Sequence, residues 1–129
     1  MSSASEHVPA DKPCVYFDGG CPVCRAEIAA YQRAEGGDRL RWVDAQACEE
    51  AELGAGLARP VALARMHVRR ADGSLAEGAA AFVEIWAALP RWRWLARIAR
   101  LPFVLPVLEF GYAAFLRLRV LWRPSPRRA

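Results

Sequence analysis

The sequence lacks the apolar segments of an exported or membrane-spanning protein. Residues 1–12 are polar and contain no apolar core of a secretory signal, so we expect a cytoplasmic protein. The apolar run at 101–116 is short for a membrane span, and Pro102, Pro106 and Glu109 interrupt it. In a reducing compartment, cysteines are more often catalytic or metal-binding than joined in structural bridges.

Clusters of metal-ligating residues are also missing. The chain has four cysteines and two histidines, and only Cys21 and Cys24 stand at C-x-x-C spacing. The others are scattered singly: His7, Cys14, Cys48 and His67. Because zinc usually takes four ligands, often as two such pairs, we expect no metal. A redox-active dithiol is the favoured interpretation, with a zinc site and a structural disulfide left open as alternatives.

Acidic residues are almost absent from the end of the chain. Residues 91–129 carry nine arginines and one acid, Glu109, a net charge of +8, whereas residues 1–90 carry a net charge of −4. Such a surface attracts anionic membranes or acidic partners, although its ordinary role is a solvated helical face, which we favour. We expect no nucleic-acid partner, and peripheral contact of the basic C-terminal helix with an anionic membrane stays open.

Repeats are absent, and the only low-complexity stretch is the Pro/Arg-rich end. With 129 residues, 54% of them hydrophobic, the chain is long enough for one domain with a hydrophobic core. We expect a flexible lead at 1–12, a single domain at 13–122 and a basic tail at 123–129, in a monomer. Because so short a chain needs its C-terminal apolar residues for the core, we expect the last helix to pack on the domain, with Phe110 and Phe115 inside.

Strand and helix patterns alternate along the chain. A short apolar run at 14–17 ends at a glycine turn and leads into a helical pattern from Pro22, a residue suited to a first helical turn. An Asp-Gly turn at 71–74 predicts a hairpin. The other segments predict strands at 40–43, 66–69 and 75–77 and helices at 45–53, 57–64, 79–89, 92–101 and 107–122. This order predicts an α/β fold, a thioredoxin-like mixed sheet flanked by helices with a helical C-terminal extension.

The Cys21-Pro22-Val23-Cys24 segment starts the first predicted helix. A thiol at a helix N-terminus meets unpaired backbone N–H groups and the positive end of the helix dipole, which stabilise a thiolate. The second sulfur lies one turn further on, close enough to resolve a mixed disulfide. We therefore predict that Cys21 attacks the substrate and that Cys24 resolves the intermediate.

Asp18 precedes the dithiol and has two interpretations, which stay open. As a functional group, its carboxylate takes and returns a proton for Cys24. As a structural group, it accepts backbone N–H bonds in the Gly19-Gly20 turn. We include Asp18 among the predicted catalytic residues. We interpret the two glycines as a tight turn rather than a phosphate site, because no phosphate-loop lysine follows.

Three segments, in order along the chain, resemble a known family. Residues 16–24 contain an Asp, Cys and Cys motif, and residues 66–68 are followed by Asp72 and Gly73. An aromatic and arginine pattern closes the series with Tyr112, Phe115, Arg117 and Arg119. Together these segments resemble the DCC family of thiol–disulfide oxidoreductases. The resemblance implies a thioredoxin-like fold and disulfide exchange with a protein or low-molecular-weight thiol, and we expect no cofactor.

Substrate contacts are assigned to residues near the dithiol. Thioredoxins place a cis-proline opposite the dithiol before a central strand, but Pro60 comes too early for this role and Met66 takes its place. We predict Pro22, Met66 and His67 as substrate-binding residues. The competing function class is a non-enzymatic module that binds a partner or a membrane surface and whose cysteine pair is structural or holds zinc.

Overall fold

The computed structural model describes residues 12–121, so the predicted tail at 123–129 and all of the predicted lead except Lys12 lie outside it. The strands are β1 (Cys14–Phe17), β2 (Arg41–Asp44), β3 (His67–Arg69) and β4 (Leu75–Glu77). The α-helices are α1 (Pro22–Arg33), α2 (Glu50–Leu53), α3 (Arg59–Ala64), α4 (Ala79–Ala88), α5 (Arg93–Ala99) and α6 (Val104–Leu118). Short 3-10 helices occupy Gly37–Arg39, Pro90–Trp92 and Arg119–Leu121.

The four strands form one mixed sheet in the order β2-β1-β3-β4. β1 runs parallel to β2, and the connection between them contains α1, as a parallel pair requires. β3 is antiparallel to both β1 and β4, and it joins β4 through the hairpin predicted from the Asp-Gly turn. The α/β class and the thioredoxin-like mixed sheet are therefore confirmed.

Alternation along β1 directs side chains into two hydrophobic clusters. Val15 joins the cluster formed with Ile28 of α1 and Ile85 of α4. Tyr16 points to the opposite face and joins the cluster that contains Leu53 of α2. Because successive side chains of a strand point to opposite faces, this pattern makes the sheet a layer between helices. After β1 ends at Phe17, the chain passes through a short turn and enters α1.

The helix predicted at 45–53 is wrong in its first half, since only α2 forms. The Asp44 side chain accepts a hydrogen bond from the backbone N–H of Gln46 at 2.9 Å. Short acidic side chains stabilise such turns in competition with helix. Helical structure begins only after Glu49, whose N–H donates to the Glu52 carboxylate at 3.1 Å.

The observed C-terminal helices start at residues that differ from those predicted from the sequence. The helix expected at 92–101 is a 3-10 turn followed by α5, and the one expected at 107–122 starts earlier, as α6. Pro106 fits inside the first turn of α6 because the N–H groups of a first turn have no intrahelical partner. No single helix among residues 12–121 is long and apolar enough to cross a membrane. The Pro90–Ala99 and Val104–Leu118 helices meet that test only together, and they are bent by 103°.

α6 packs on the domain through one face. The Tyr112 hydroxyl accepts a hydrogen bond from the Met66 backbone N–H at 2.6 Å. The Tyr112 ring lies 5.3 Å from that of Phe82 on α4 and 6.1 Å from that of Phe115. The expected packing of α6 is thus observed, and Phe115 lies on the packed face. The expectation for Phe110 is wrong, because its side chain is 78% exposed.

Glu109 anchors the middle of α6. Its carboxylate pairs with Arg65 and accepts a hydrogen bond from the Ala79 backbone N–H at 3.0 Å. That N–H belongs to the first turn of α4, where helix dipole and free donors favour a negative charge. Glu109 is the only acid of residues 91–129, and its side chain therefore points toward the domain and away from the solvent-facing side of α6.

Candidate active site

Cys21 lies at the junction between the sheet and α1. β1 ends at Phe17, a three-residue turn follows, and Cys21 is the N-cap residue of α1 with Pro22 in the first turn. The Cys24 backbone N–H donates a hydrogen bond to the Cys21 Sγ at 3.4 Å. Helix N-terminal N–H groups and the helix dipole stabilise negative charge on an atom in this position. The predicted placement of Cys21 at a helix start is observed.

The two sulfurs of the dithiol differ in their surroundings. Cys21 has no exposed surface, whereas Cys24, one helical turn further on, is half-buried. Burial, and then contact with the Cys21 sulfur, raise the pKa of Cys24 well above its ordinary value of 9.0, although the Arg119 guanidinium opposes the shift. Cys24 therefore keeps its proton near neutral pH and needs a base before it can attack.

The turn before the dithiol is held by hydrogen bonds from three side chains. The Gly20 N–H donates to Asp18 Oδ1 and the Gly19 N–H donates to Asp44 Oδ1, both at 2.9 Å. The Arg25 guanidinium donates to the Gly19 carbonyl at 2.8 Å. A Cβ atom on Gly19 would overlap the Asp44 carboxylate, so this close approach requires glycine. Both glycines thus serve the turn geometry.

Asp18 is buried beneath this turn, with 5% of its surface exposed. One carboxylate oxygen accepts the Gly20 N–H, which is the structural role expected for a turn residue. The other oxygen lies 3.6 Å from the Arg119 guanidinium. Asp18 also lines a small pocket that it shares with Cys24. The structural role is observed, and the proton-transfer role stays a prediction.

Arg119 closes the pocket from the far end of the chain. It follows α6 directly, and its side chain is only 12% exposed. The guanidinium contacts the Asp18 carboxylate and the Cys24 thiol and donates to the Leu63 carbonyl at 2.8 Å. A cation between a carboxylate and a thiol stabilises negative charge on either group.

Arg119 was missed as a site residue by the sequence analysis, which gave it only a place in the C-terminal pattern. The signal that identifies it is the helical phase of α6. Leu108, Tyr112 and Phe115 have the i, i+4 and i+7 spacing of one helix face, and this face packs on the domain. Arg119 continues the same phase at i+11, so the apolar residues before it predict an inward-facing side chain.

The predicted substrate-binding residues are not all brought together. Met66 directly precedes β3 and lines the Cys24 pocket, and Pro22 is exposed beside Cys21. His67 alternates with Met66 along the strand, so its buried imidazole points to the other face of the sheet. There its Nδ1 lies 2.8 Å from the Arg65 carbonyl. The binding roles of these residues stay predictions.

Cys14 and Cys48 lie outside the dithiol pocket. Cys14 is buried in β1, and this burial raises the pKa of its thiol. Cys48 is half-buried in the turn after β2, where the Arg59 guanidinium donates to its sulfur at 3.7 Å. Within residues 12–121, no group of three or more His, Cys, Asp or Glu side chains is placed to hold a metal ion.

The sheet order and the dithiol at the start of α1 define a protein of the thioredoxin-like dithiol class. A family model described as DCC1-like thiol-disulfide oxidoreductase matches residues 15–124. The chain therefore belongs to the DCC1-like thiol–disulfide oxidoreductase family, which confirms the resemblance seen in its motifs. Comparisons with curated proteins and with solved structures found no match.

Proposed function

We propose that the chain is an enzyme of the protein-disulfide reductase type that exchanges disulfides through Cys21 and Cys24. The observation that carries the proposal is the N-cap position of Cys21, whose sulfur accepts the Cys24 N–H at 3.4 Å. This geometry favours a thiolate on Cys21 and places the second thiol within one helical turn. Family membership supports the class of reaction.

The first step is attack by the Cys21 thiolate on a substrate disulfide. A bond forms between Cys21 Sγ and one substrate sulfur while the substrate S–S bond breaks. The other substrate sulfur leaves as a thiolate and takes a proton from water. The product is a mixed disulfide at Cys21, with Cys24 still protonated.

The second step is attack by Cys24 on the Cys21 sulfur. The Cys24 proton passes to the Asp18 carboxylate, which lines the same pocket, and Arg119 stabilises the charge that develops on the Cys24 sulfur. A Cys21–Cys24 bond forms, the remaining substrate sulfur leaves, and the proton on Asp18 is transferred to it. Two electrons have then moved to the substrate, and an external thiol of a protein or a small molecule restores the dithiol.

Apolar side chains form part of the rim of the site. Cys21 is enclosed, so a substrate must displace part of this rim before it reaches the sulfur. Val23 on α1 is exposed beside Cys24, and Ala62 and Leu63 of α3 line the Cys24 pocket. Such a rim suits an extended apolar segment of a protein substrate, with Pro22 and Met66 as neighbouring contacts. In this arrangement His67 supports Met66 through its contact with the Arg65 carbonyl.

Trapping tests the proposal. A Cys24→Ser variant has no resolving thiol, so its mixed disulfide at Cys21 should be long-lived. The probes are glutathione disulfide and an unfolded disulfide-bonded protein, and the adduct is located by peptide mass spectrometry. The two probes distinguish a small-molecule substrate from a protein substrate.

The matched control carries Cys21→Ser together with Cys24→Ser and should form no adduct. A Cys21→Ser variant that traps either probe as well as Cys24→Ser does would reverse the two roles. Adducts confined to Cys14 or Cys48 would contradict the proposed function altogether.

A further inference from the structure

Exposed apolar side chains concentrate where α5 meets α6. Ten large hydrophobic side chains are exposed among residues 12–121, and eight of them lie between residues 94 and 121. Phe103 and Phe110 are the most exposed, at 82% and 78%. Exposed apolar side chains concentrated in this way mark an interaction site more often than scattered single residues do.

Apolar and basic residues form two parallel stripes along α5 and the two residues after it. Trp94 and Ile98 are exposed on one side of α5, and the exposed Leu101, which follows the helix, continues their i, i+4 and i+7 spacing. Each follows an exposed arginine, and these arginines have the same spacing: Arg93, Arg97 and Arg100. The apolar stripe is therefore bordered along its length by positive charge.

The exposed apolar stripe continues from Phe103, the N-cap residue of α6, along that helix. Phe103, Val107 and Phe110 repeat the i, i+4 and i+7 spacing and are exposed, while Leu105 and Leu108 pack inward against the domain. The corner surface is defined here by six side chains: Trp94, Ile98, Leu101, Phe103, Val107 and Phe110. On α6, its residues lie on the side opposite Leu108, Tyr112 and Phe115, near the end of the helix remote from Arg119.

The segment that carries the corner surface has almost no negative charge of its own. Glu109 is the only acid of residues 91–129, and its carboxylate is held by Arg65 and the Ala79 N–H. A second copy of this chain on the same surface would place arginines against arginines, which disfavours self-association. An occupant must therefore offer apolar bulk and negative charge together.

We propose that the corner surface docks on an anionic lipid membrane. Phospholipid acyl chains accept the phenylalanine, leucine and tryptophan side chains at the level of the headgroups, and the lipid phosphates pair with the flanking arginines. Neither helix alone spans a bilayer, and the 103° bend between them suits a corner that dips into the interface. Docking would hold the dithiol enzyme beside membrane-associated substrates.

Vesicle flotation with the full chain tests this proposal. The wild type should float with phosphatidylglycerol-containing vesicles and should dissociate from them as the salt concentration rises. It should not bind pure phosphatidylcholine vesicles. Replacing the two exposed phenylalanines, Phe103→Ser with Phe110→Ser, should weaken binding by about tenfold or more at an unchanged melting temperature. Replacing Arg97→Gln with Arg100→Gln should also weaken binding by about tenfold or more.

Matched controls lie elsewhere on the domain. Val61→Ser removes an exposed apolar residue and Arg33→Gln an exposed arginine, and neither should change vesicle binding. Absence of vesicle binding would overturn the proposal. So would binding that survives the Phe103 and Phe110 changes, because the arginines alone would then suffice. A concentration-dependent dimer that these changes abolish would also overturn it, in favour of a second copy of the chain.

Discussion

Replacing Arg119 by glutamine should destabilise the protein, because Arg119 pairs with a buried carboxylate. The Arg119 and Asp18 side chains are 12% and 3% exposed, and their charged groups lie 3.6 Å apart. Removing one partner of a buried pair costs about 3–5 kcal/mol, and the long separation favours the lower end, about 3 kcal/mol. Loss of the hydrogen bond to the Leu63 carbonyl acts in the same direction. Urea unfolding near neutral pH measures the free energy of unfolding.

A double-mutant cycle tests whether the lost stability comes from the Arg119–Asp18 ion pair. Asp18→Asn removes the negative charge but keeps an oxygen for the Gly20 N–H, so Arg119→Gln should cost less in that background. We expect a coupling free energy of about 1–3 kcal/mol. Arg117→Gln, on the exposed side of α6, is the matched control and should change stability by less than about 0.5 kcal/mol. Additive effects, or an Arg119→Gln variant as stable as Arg117→Gln, would refute the reasoning.

The same substitution should slow the resolving step. The Arg119 guanidinium lowers the pKa of Cys24 against the larger effect of burial, so its removal raises that pKa further. A smaller thiolate fraction at a given pH should lengthen the lifetime of the mixed disulfide at Cys21. The lifetime of the mixed disulfide can be measured by rapid quench across a pH series. We expect the rate of the resolving step to rise at higher pH in the variant than in the wild type. An unchanged pH profile would show that Arg119 does not take part in this step.

Further changes test the fold around the site and the packing of α6. Gly19→Ala should destabilise by about 1–3 kcal/mol through overlap with the neighbouring carboxylate. Gly111→Ala, in open space on a helix, should instead stabilise by about 0.5–1 kcal/mol. Burial raises the pKa of Glu27 above its ordinary 4.5, so the stability from this group is present below that pH and lost as pH rises. Glu27→Gln should therefore gain stability relative to the wild type as pH rises above about 4.5 in urea unfolding. Phe115→Ala should destabilise by about 2 kcal/mol while Phe110→Ala leaves the midpoint unchanged, and equal losses would show that α6 packs through another face.

Local sequence signals predicted the part of the site that is contiguous in the chain. The apolar run of β1, the glycine turn and Pro22 at the start of α1 each have a short-range physical cause. Together they placed Cys21 at the helix N-terminus and Cys24 one turn further on. The hairpin between β3 and β4 was predictable for the same reason, since its turn chemistry is local.

Long-range contacts explain what the sequence analysis missed. Arg119 reaches Asp18 across about a hundred residues of chain, and only the phase of α6 indicates its direction. Phe110 was expected to be buried because its segment is apolar, but the helical phase of α6 places it on the exposed side. The Asp44 side chain shortened the following helix through hydrogen bonds that composition alone does not reveal.

Mapping the first disulfide that forms on oxidation tests the central claim most directly. The account predicts one bridge, between Cys21 and Cys24, with Cys14 and Cys48 remaining free thiols. Residues three apart on a helical turn can meet the Cα separation of about 4.4–6.8 Å that a disulfide requires. The bridge should be reducible across a glutathione redox series, because stabilising the Cys21 thiolate stabilises the reduced form. A dominant bridge to Cys14 or Cys48, or a pair that glutathione cannot reduce at any ratio, would contradict the account and indicate a structural cross-link.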